Sequence, residues 1–377
     1  MKKRVFVAMS GGVDSSVAAA LLKKAGFNVV GVFIKPYQPK AGIFNFQFSI
    51  FNKDNCLWKE DREDALRVAV KLGIPLLTWD FSKDYEKRVA NYMIEGYRHG
   101  ITPNPDVMCN KFIKFGVFLD RALKLGADYI ATGHYVRIKS RRGPVARHPF
   151  TLLKAKDSNK DQSYFLYALN QKQLKHCLFP VGDYTKPEVR TMAKKFGLPN
   201  WDKKDSQGVC FVGPLKVSEF LKKRIRQKKG RVVRKSDGLV LGEHDGVWYY
   251  TIGQRHGFGL NGGRPYFIVG KDLKKNILYV DDGSEFLISN SKFLNKSQIP
   301  NYKLQIKEFN WVTGHKKLPL DCKVKTRYRQ KDLDCTILKN GSDKALVKFK
   351  ENKSAIAPGQ AAVFYKGEEM LGGGIIV

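Results

Sequence analysis

The sequence is poor in acid and poorer in cysteine. Across 377 residues, 35 Asp and Glu face 68 Lys and Arg, and six cysteines occur. These six, Cys56, Cys109, Cys177, Cys210, Cys322 and Cys335, contain no Cys-x-x-Cys pair, which argues against common zinc spacings and a dense disulfide scaffold. They are expected as reduced thiols, available for nucleophilic or redox chemistry. No apolar run reaches the ~18 residues that would mark a membrane-spanning helix, so no membrane partner is expected. The basic start Met1-Lys2-Lys3-Arg4 leads into only five apolar residues, Val5 to Met9, before Ser10-Gly11-Gly12. That is too short for a secretory signal, so the segment reads as a first strand and a cytoplasmic location is expected. Low-complexity tracts and repeats of fixed period are also lacking.

What is present is a globular composition, 43% hydrophobic and 12% aromatic, with a formal charge of +33. A compact chain so charged repels itself unless a polyanion offsets it, and nucleic acid is the first such partner. A general enrichment of surface lysine is the competing explanation.

The first half alternates strand and helix patterns. Val5 to Met9, Val29 to Ile34, Leu76 to Phe81 and Tyr129 to Thr132 read as strands; Ser15 to Ala25, Glu60 to Leu72, Lys83 to Tyr97 and Phe112 to Leu125 read as helices. This is the βαβ rhythm of a parallel sheet. After Gly213 short β-like runs are divided by turns such as Asp237-Gly238, Asp245-Gly246 and Asp282-Gly283. The tail, with Cys322 to Arg329, Asp334 to Leu338, Ala345 to Phe349, Ala361 to Tyr365 and Met370 to Val377, reads as a small barrel or sandwich. The expected domains are residues 1–212, 213–289 and 290–377. The Phe-, Gly- and Asn-rich stretch from Pro36 to Asn55 reads as a long loop whose aromatics either pack beneath it or stack on bases.

The strongest local signal is strand, then Ser10-Gly11-Gly12-Val13-Asp14-Ser15-Ser16, then helix. Two glycines let the backbone approach an anion, serine hydroxyls donate to phosphate oxygens, and the helix start points free N–H groups at the ligand. The loop lacks the Lys-Ser/Thr of a Walker loop, so γ-phosphate hydrolysis in that style is not expected. Asp14 either positions Mg²⁺ on the phosphates or complements the helix dipole. A second signal is Thr102-Pro103-Asn104-Pro105-Asp106-Val107-Met108-Cys109-Asn110-Lys111, where a helix start and a nearby cation would lower the Cys109 thiol pKa. A third, Lys204-Asp205-Ser206-Gln207-Gly208-Val209-Cys210, holds a cysteine that would by itself pass for a core residue.

The loop resembles that of ATP pyrophosphatases, which transfer AMP to a carbonyl oxygen and release pyrophosphate. Together with Ala131-Thr132-Gly133-His134-Tyr135, Lys160-Asp161-Gln162-Ser163-Tyr164-Phe165-Leu166, Phe179 to Arg190, Tyr250-Thr251-Ile252-Gly253-Gln254-Arg255 and Tyr266 to Asp281, these segments resemble the MnmA-type tRNA-specific 2-thiouridylases over nearly the entire chain. The resemblance implies an α/β fold: an N-terminal Rossmann-like parallel-sheet ATP pyrophosphatase domain, a small β-rich central domain contacting tRNA, and a C-terminal β-barrel. It implies ATP binding by Ala8, Met9, Ser10, Gly11, Gly12, Val13, Asp14, Ser15, Ile34 and Gly133. Asn104, Pro105 and Asp106 fall where the family meets the target base, and Lys160, Asp161, Gln162, Arg327 and Tyr328 where it contacts tRNA. Cys109 corresponds to the nucleophile and Cys210 to the persulfide carrier.

The implied reaction adenylates the C2 oxygen of wobble uridine, turning a poor electrophile into one with a leaving group. Persulfide sulfur from Cys210 then replaces that oxygen while Cys109 attacks the S–S bond, or sulfide is released and attacks instead. Asp106 acts as acid or base at the base. ATP is the cosubstrate with its Mg²⁺, and no resident metal site is assigned. The partners implied are the Lys, Glu and Gln tRNAs and a sulfur donor, either a relay protein or a cysteine desulfurase, acting on a monomer. Ile34 departs from the Met common among relatives, and Cys56 is assigned to structure. Two other readings remain: another adenylating tRNA modifier, such as a lysidine synthase, and a non-catalytic RNA-binding module.

Overall fold

A computed structural model describes residues 2–37, 57–140, 149–205, 217–260, 265–282, 303–341, 343–350 and 356–377. Cys56, Cys210 and nearly all of the aromatic stretch after Pro36 lie outside them.

The N-terminal sheet has five parallel strands in the order Leu76–Asp80, Asn28–Lys35, Arg4–Ala8, Tyr129–Ala131 and Cys177–Leu178. After the exposed Arg4, the strand Arg4–Ala8 is apolar, Val5 to Ala8, because both of its faces are covered. Val5 and Val7 pack with Val17, Ala18 and Phe33, whereas Phe6 packs with Val32, Trp79 and Phe118 on the other side. The chain builds outward from Arg4–Ala8 and then returns to its opposite flank as Tyr129–Ala131. That reversal opens a crevice at the carboxyl ends of these two strands, the usual ligand position in open α/β sheets.

The helix expected from Phe112 begins earlier, at Pro105. Asn104 caps it by accepting from the Val107 N–H at 3.3 Å, and Pro105 supplies a preset φ at the first helical position. Helical segments then run through Lys124, broken at Gly116, where ψ is −105°.

Residues 217–282 carry a four-stranded sheet in the order Tyr266–Asp272, Ile277–Asp282, Gly230–Arg234 and Val240–His244. The C-terminal strands form a closed barrel of Lys303–Trp311, Lys344–Phe349, Leu333–Asn340, Leu320–Lys325, Ala361–Lys366 and Glu369–Ile376, the last pairing back to the first. The strand expected to reach Arg329 stops at Lys325. Gln330 Oε1 accepts from the Thr326 and Arg327 N–H groups and the Thr326 hydroxyl, while Arg329 turns to φ +62°, so residues 326–330 fold into a capped turn.

A hairpin of the first half, Arg137–Ser140 with Phe150–Leu153, pairs onto the barrel through Leu152↔Met370 and Leu153↔Glu369. Thr102 joins all three regions. Its N–H donates to Pro358 O, its carbonyl accepts from Gln360 Nε2, and its hydroxyl meets that of Thr251. Among the described residues no helix is long and apolar enough to cross a membrane.

Candidate nucleotide and RNA site

A cavity of about 610 Å³ occupies the crevice. One wall is the turn from Arg4–Ala8 into the helix Val13–Lys24. Ser15 Oγ receives the Ser10 N–H at 3.2 Å and donates to Gly12 O at 3.0 Å, and the Ser16 hydroxyl donates to the same carbonyl at 2.9 Å. No side chain caps this helix, so its first N–H groups are left for an anion. Gly11 is in the left-handed region at φ +77°, and a Cβ there would stand 2.1 Å from Asp61 O. Gly133, at the end of the neighbouring strand, passes so close that a Cβ would lie 2.7 Å from Ser15 N. Asn200 holds the turn from behind, donating to Gly11 O at 2.8 Å and to Ser16 Oγ at 3.0 Å.

A charged network runs beside the loop. Asp14 Oδ1 accepts from Lys186 Nζ at 2.6 Å and from the Tyr135 hydroxyl at 2.8 Å. Lys186 also pairs with Asp205 at 2.8 Å, as do Lys160 at 2.6 Å and Arg190 at 3.0 Å. Burial would raise the Asp205 pKa, but hydrogen bonds and charge from Lys160 and Lys186 outweigh it and hold the carboxyl at about 2. Burial, with Asp14 adding to it, pushes the Tyr135 phenol far above the ordinary tyrosine range.

The opposite wall is one face of the helix from Pro105. Asp106, Asn110 and Lys114 line the cavity at four-residue intervals. Lys114 Nζ stands 3.5 Å from His134 Nε2, and His134 Nδ1 shares a 2.8 Å hydrogen bond with Thr132 Oγ1. Burial, reinforced by the Lys114 charge, drives His134 well below the usual histidine range, so its ring is neutral. Phe165 and Tyr328 close this end with ring centroids 4.6 Å apart.

The cavity brings together Ala8, Met9, Ser10, Gly12, Val13, Asp14, Ser15, Ile34 and Gly133 with Asp106, Lys160, Gln162 and Tyr328. Both sets of segments singled out in the sequence therefore face one space. Gly11 supports the loop from outside the lining. Asn104 is the helix cap, with Pro105 beside it. Asp161 is buried, accepting from the Ala155 and Ser163 N–H groups and from the Ser163 hydroxyl. Arg327 donates to Ile252 O at 3.0 Å, joining the barrel to the central sheet. Cys109 is fully buried and lies a turn inside its helix; Lys111, read as a cation near its thiol, stands 3.8 Å from Glu308. Cys210 lies outside the described residues.

Lys186, Tyr135, His134, Asn110, Lys114, Phe165 and Arg329 line the cavity without having been singled out as site residues. A signal existed for two of them, since Asn110 and Lys114 follow Asp106 at helical spacing. Lys186 lies in the resemblance segment Phe179 to Arg190, but nothing local marks its pairing with Asp14 and Asp205.

Residues 3–214 match the family model described as tRNA methyl transferase HUP domain. Residues 218–282 match tRNA methyl transferase PRC-barrel domain, and residues 301–376 match Aminomethyltransferase beta-barrel domain. Among curated relatives, tRNA-specific 2-thiouridylase MnmA 2 of Geobacillus kaustophilus is 46% identical over 379 residues, covering 99% of this chain and 94% of the relative. The MnmA of Bacillus licheniformis is 46% identical over 374 residues, with 99% and 94% covered. That of Streptococcus sanguinis is 45% identical over 382 residues, with 100% and 95% covered.

Proposed function

Since the chain belongs to the tRNA-specific 2-thiouridylase family, we propose that it adenylates O2 of wobble uridine and replaces that oxygen with sulfur in the cavity described above. The observation that carries this reading is the shared cavity: the uncapped phosphate loop faces the same space as Asp106, Lys160, Gln162 and Tyr328. Methyl transfer, named in two of the matching descriptions, would leave the loop idle, because a sulfonium methyl donor has no phosphate for it to hold.

In this reading the loop and the N-terminus of Val13–Lys24 bind the ATP phosphates, and Ile34 contacts the adenine. Mg²⁺, which neutralises phosphate charge when bound, would take Asp14 as its protein carboxylate. Among the described residues no cluster of three acidic, His or Cys side chains offers a resident metal site. O2 of the uracil attacks the α-phosphorus, pyrophosphate leaves, and Asp106 accepts the proton lost from N3. The terminal sulfur of a Cys210 persulfide attacks C2 and AMP departs. The Cys109 thiolate then attacks the sulfur of Cys210, freeing 2-thiouridine and leaving a Cys109–Cys210 disulfide for an external reductant. Lys160, Gln162 and Tyr328 hold the anticodon region of the Lys, Glu and Gln tRNAs, with Asn104, Pro105, Asp161 and Arg327 fastening the segments that present them. The sulfur donor is a relay protein or a cysteine desulfurase, serving a cytoplasmic monomer divided near residues 212 and 289.

The test supplies ATP, tRNA and a persulfide donor, and follows pyrophosphate and thiolated uridine separately. Cys109→Ala and Cys210→Ala are expected to release pyrophosphate but form no 2-thiouridine, while Cys56→Ser forms it normally. Full thiolation by both alanine variants would overturn the sulfur route.

A further inference from the structure

Asn110 is left without a task by this chemistry. It lines the cavity one turn after Asp106 and is only 3% exposed. Its Nδ2 donates to the Phe165 carbonyl at 3.4 Å, whereas its Oδ1 has no hydrogen-bond partner among the described residues. The orientation is fixed by that carbonyl: exchanging the amide oxygen and nitrogen would set two acceptors against each other. Oxygen is therefore the atom left over. A buried acceptor without a donor is costly to the fold, and a ligand that brings an N–H recovers that cost.

The position of Asn110 narrows the choice of ligand. It is tied to Phe165, whose ring lies against Tyr328, and it shares a helix face with Asp106; Ile34 belongs to the strand Asn28–Lys35 on the other side of the phosphate loop. This is the RNA end of the cavity. Of the two pyrimidines, uracil carries a proton at N3 and cytosine carries a lone pair there. An amide oxygen welcomes the first and repels the second, and a site built for a polar contact discriminates more sharply than an apolar one.

We propose that Asn110 Oδ1 accepts from N3–H of the target uracil on binding, and so excludes cytosine before Asp106 takes that same proton. Asn110 is thus a specificity-determining residue. The inference rests on the thiouridylase reading and deepens it.

The experiment measures binding of anticodon stem-loop RNAs carrying uridine or cytidine at the target position to the full-length protein, Asn110→Ala and Asn110→Leu. The wild type is expected to prefer uridine by about tenfold or more, one hydrogen bond plus the cost of an unmet acceptor. Both variants are expected to bring the ratio to within about twofold, the leucine variant preserving side-chain volume should the alanine variant fold poorly. A merely structural role would weaken both RNAs alike, and an unchanged ratio in a folded variant overturns the assignment. A parallel thiolation assay separates the two readings. Wild-type protein that thiolates uridine while the variants keep the preference refutes Asn110 alone, whereas failure of the wild type refutes the reading beneath it.

Discussion

Lys186 stands between two carboxylates, 2.6 Å from Asp14 and 2.8 Å from Asp205. The first belongs to the phosphate loop, and the second ends the described stretch 149–205, ahead of Cys210 in the sequence. One ammonium thus ties the phosphate-loop turn to the end of the stretch that precedes Cys210, the cysteine proposed to carry the sulfur. Removing it would strip Asp14, on the loop proposed to hold the phosphates, of this counterion, while Asp205 keeps Lys160 and Arg190. Lys186→Ala is expected to lower ATP-dependent pyrophosphate release by on the order of 10²-fold, with Lys186→Arg losing less. Pyrophosphate release under single-turnover conditions reads this directly, and wild-type rates in the alanine variant would contradict it.

Asp205 sets the acid side of this network. Its folded pKa of about 2 lies below the ordinary value of 3.8, so its stabilisation is fully present above 3.8 and is lost as pH falls toward 2. Asp205→Asn is therefore expected to lose less stability than the wild type across that interval. Urea midpoints taken at steps through the interval report the difference, and parallel curves would contradict the assignment.

Gly133 leaves no room for a methyl group, since its Cβ would meet the backbone of Ser15. In Gly133→Ala the strand end and the helix start must separate. A loss of about 1–3 kcal/mol in stability is expected, with weaker ATP binding because the loop shifts. Calorimetric melting and ATP titration measure the two effects.

Tyr328 lines the cavity with its ring against Phe165, where the proposed RNA would enter. Tyr328→Ala is expected to weaken tRNA binding by about 1–3 kcal/mol, the worth of one stacked base, while Tyr328→Phe retains most of it. Affinity should fall steeply with salt in every variant, because phosphate contacts release counterions. Equal losses in the alanine and phenylalanine variants would point to the hydroxyl instead of the ring.

The parallel sheet and the phosphate loop were legible because local pattern decides them: apolar runs bounded by Gly and Ser, and a turn that only glycine permits. Five of the six barrel strands were legible for the same reason; Lys303–Trp311 was not expected, and at Arg327 one glutamine side chain outweighs a β-like pattern. Less visible were contacts set by folding alone. Lys186 and Asn110 both lie in segments that carry the resemblance, but nothing local assigns either a role, and each gains its meaning from residues far along the chain. Cys109 shows the opposite limit. Its segment suggested an activated thiol at a helix start, yet the chain buries it a turn deeper, behind the face that carries Asp106 and Asn110.

The hairpin of Arg137–Ser140 and Phe150–Leu153 gives the molecule an indivisible character. Because it lends Leu152 and Leu153 to Glu369–Ile376, the barrel shields an edge that the nucleotide-binding half would otherwise expose. A fragment cut before Lys303 would carry that unpaired edge into solvent, where it can recruit the same edge of another copy. Self-association is thus the expected fate of the severed half, which makes the barrel a guard against aggregation as well as a part of the RNA-binding enzyme.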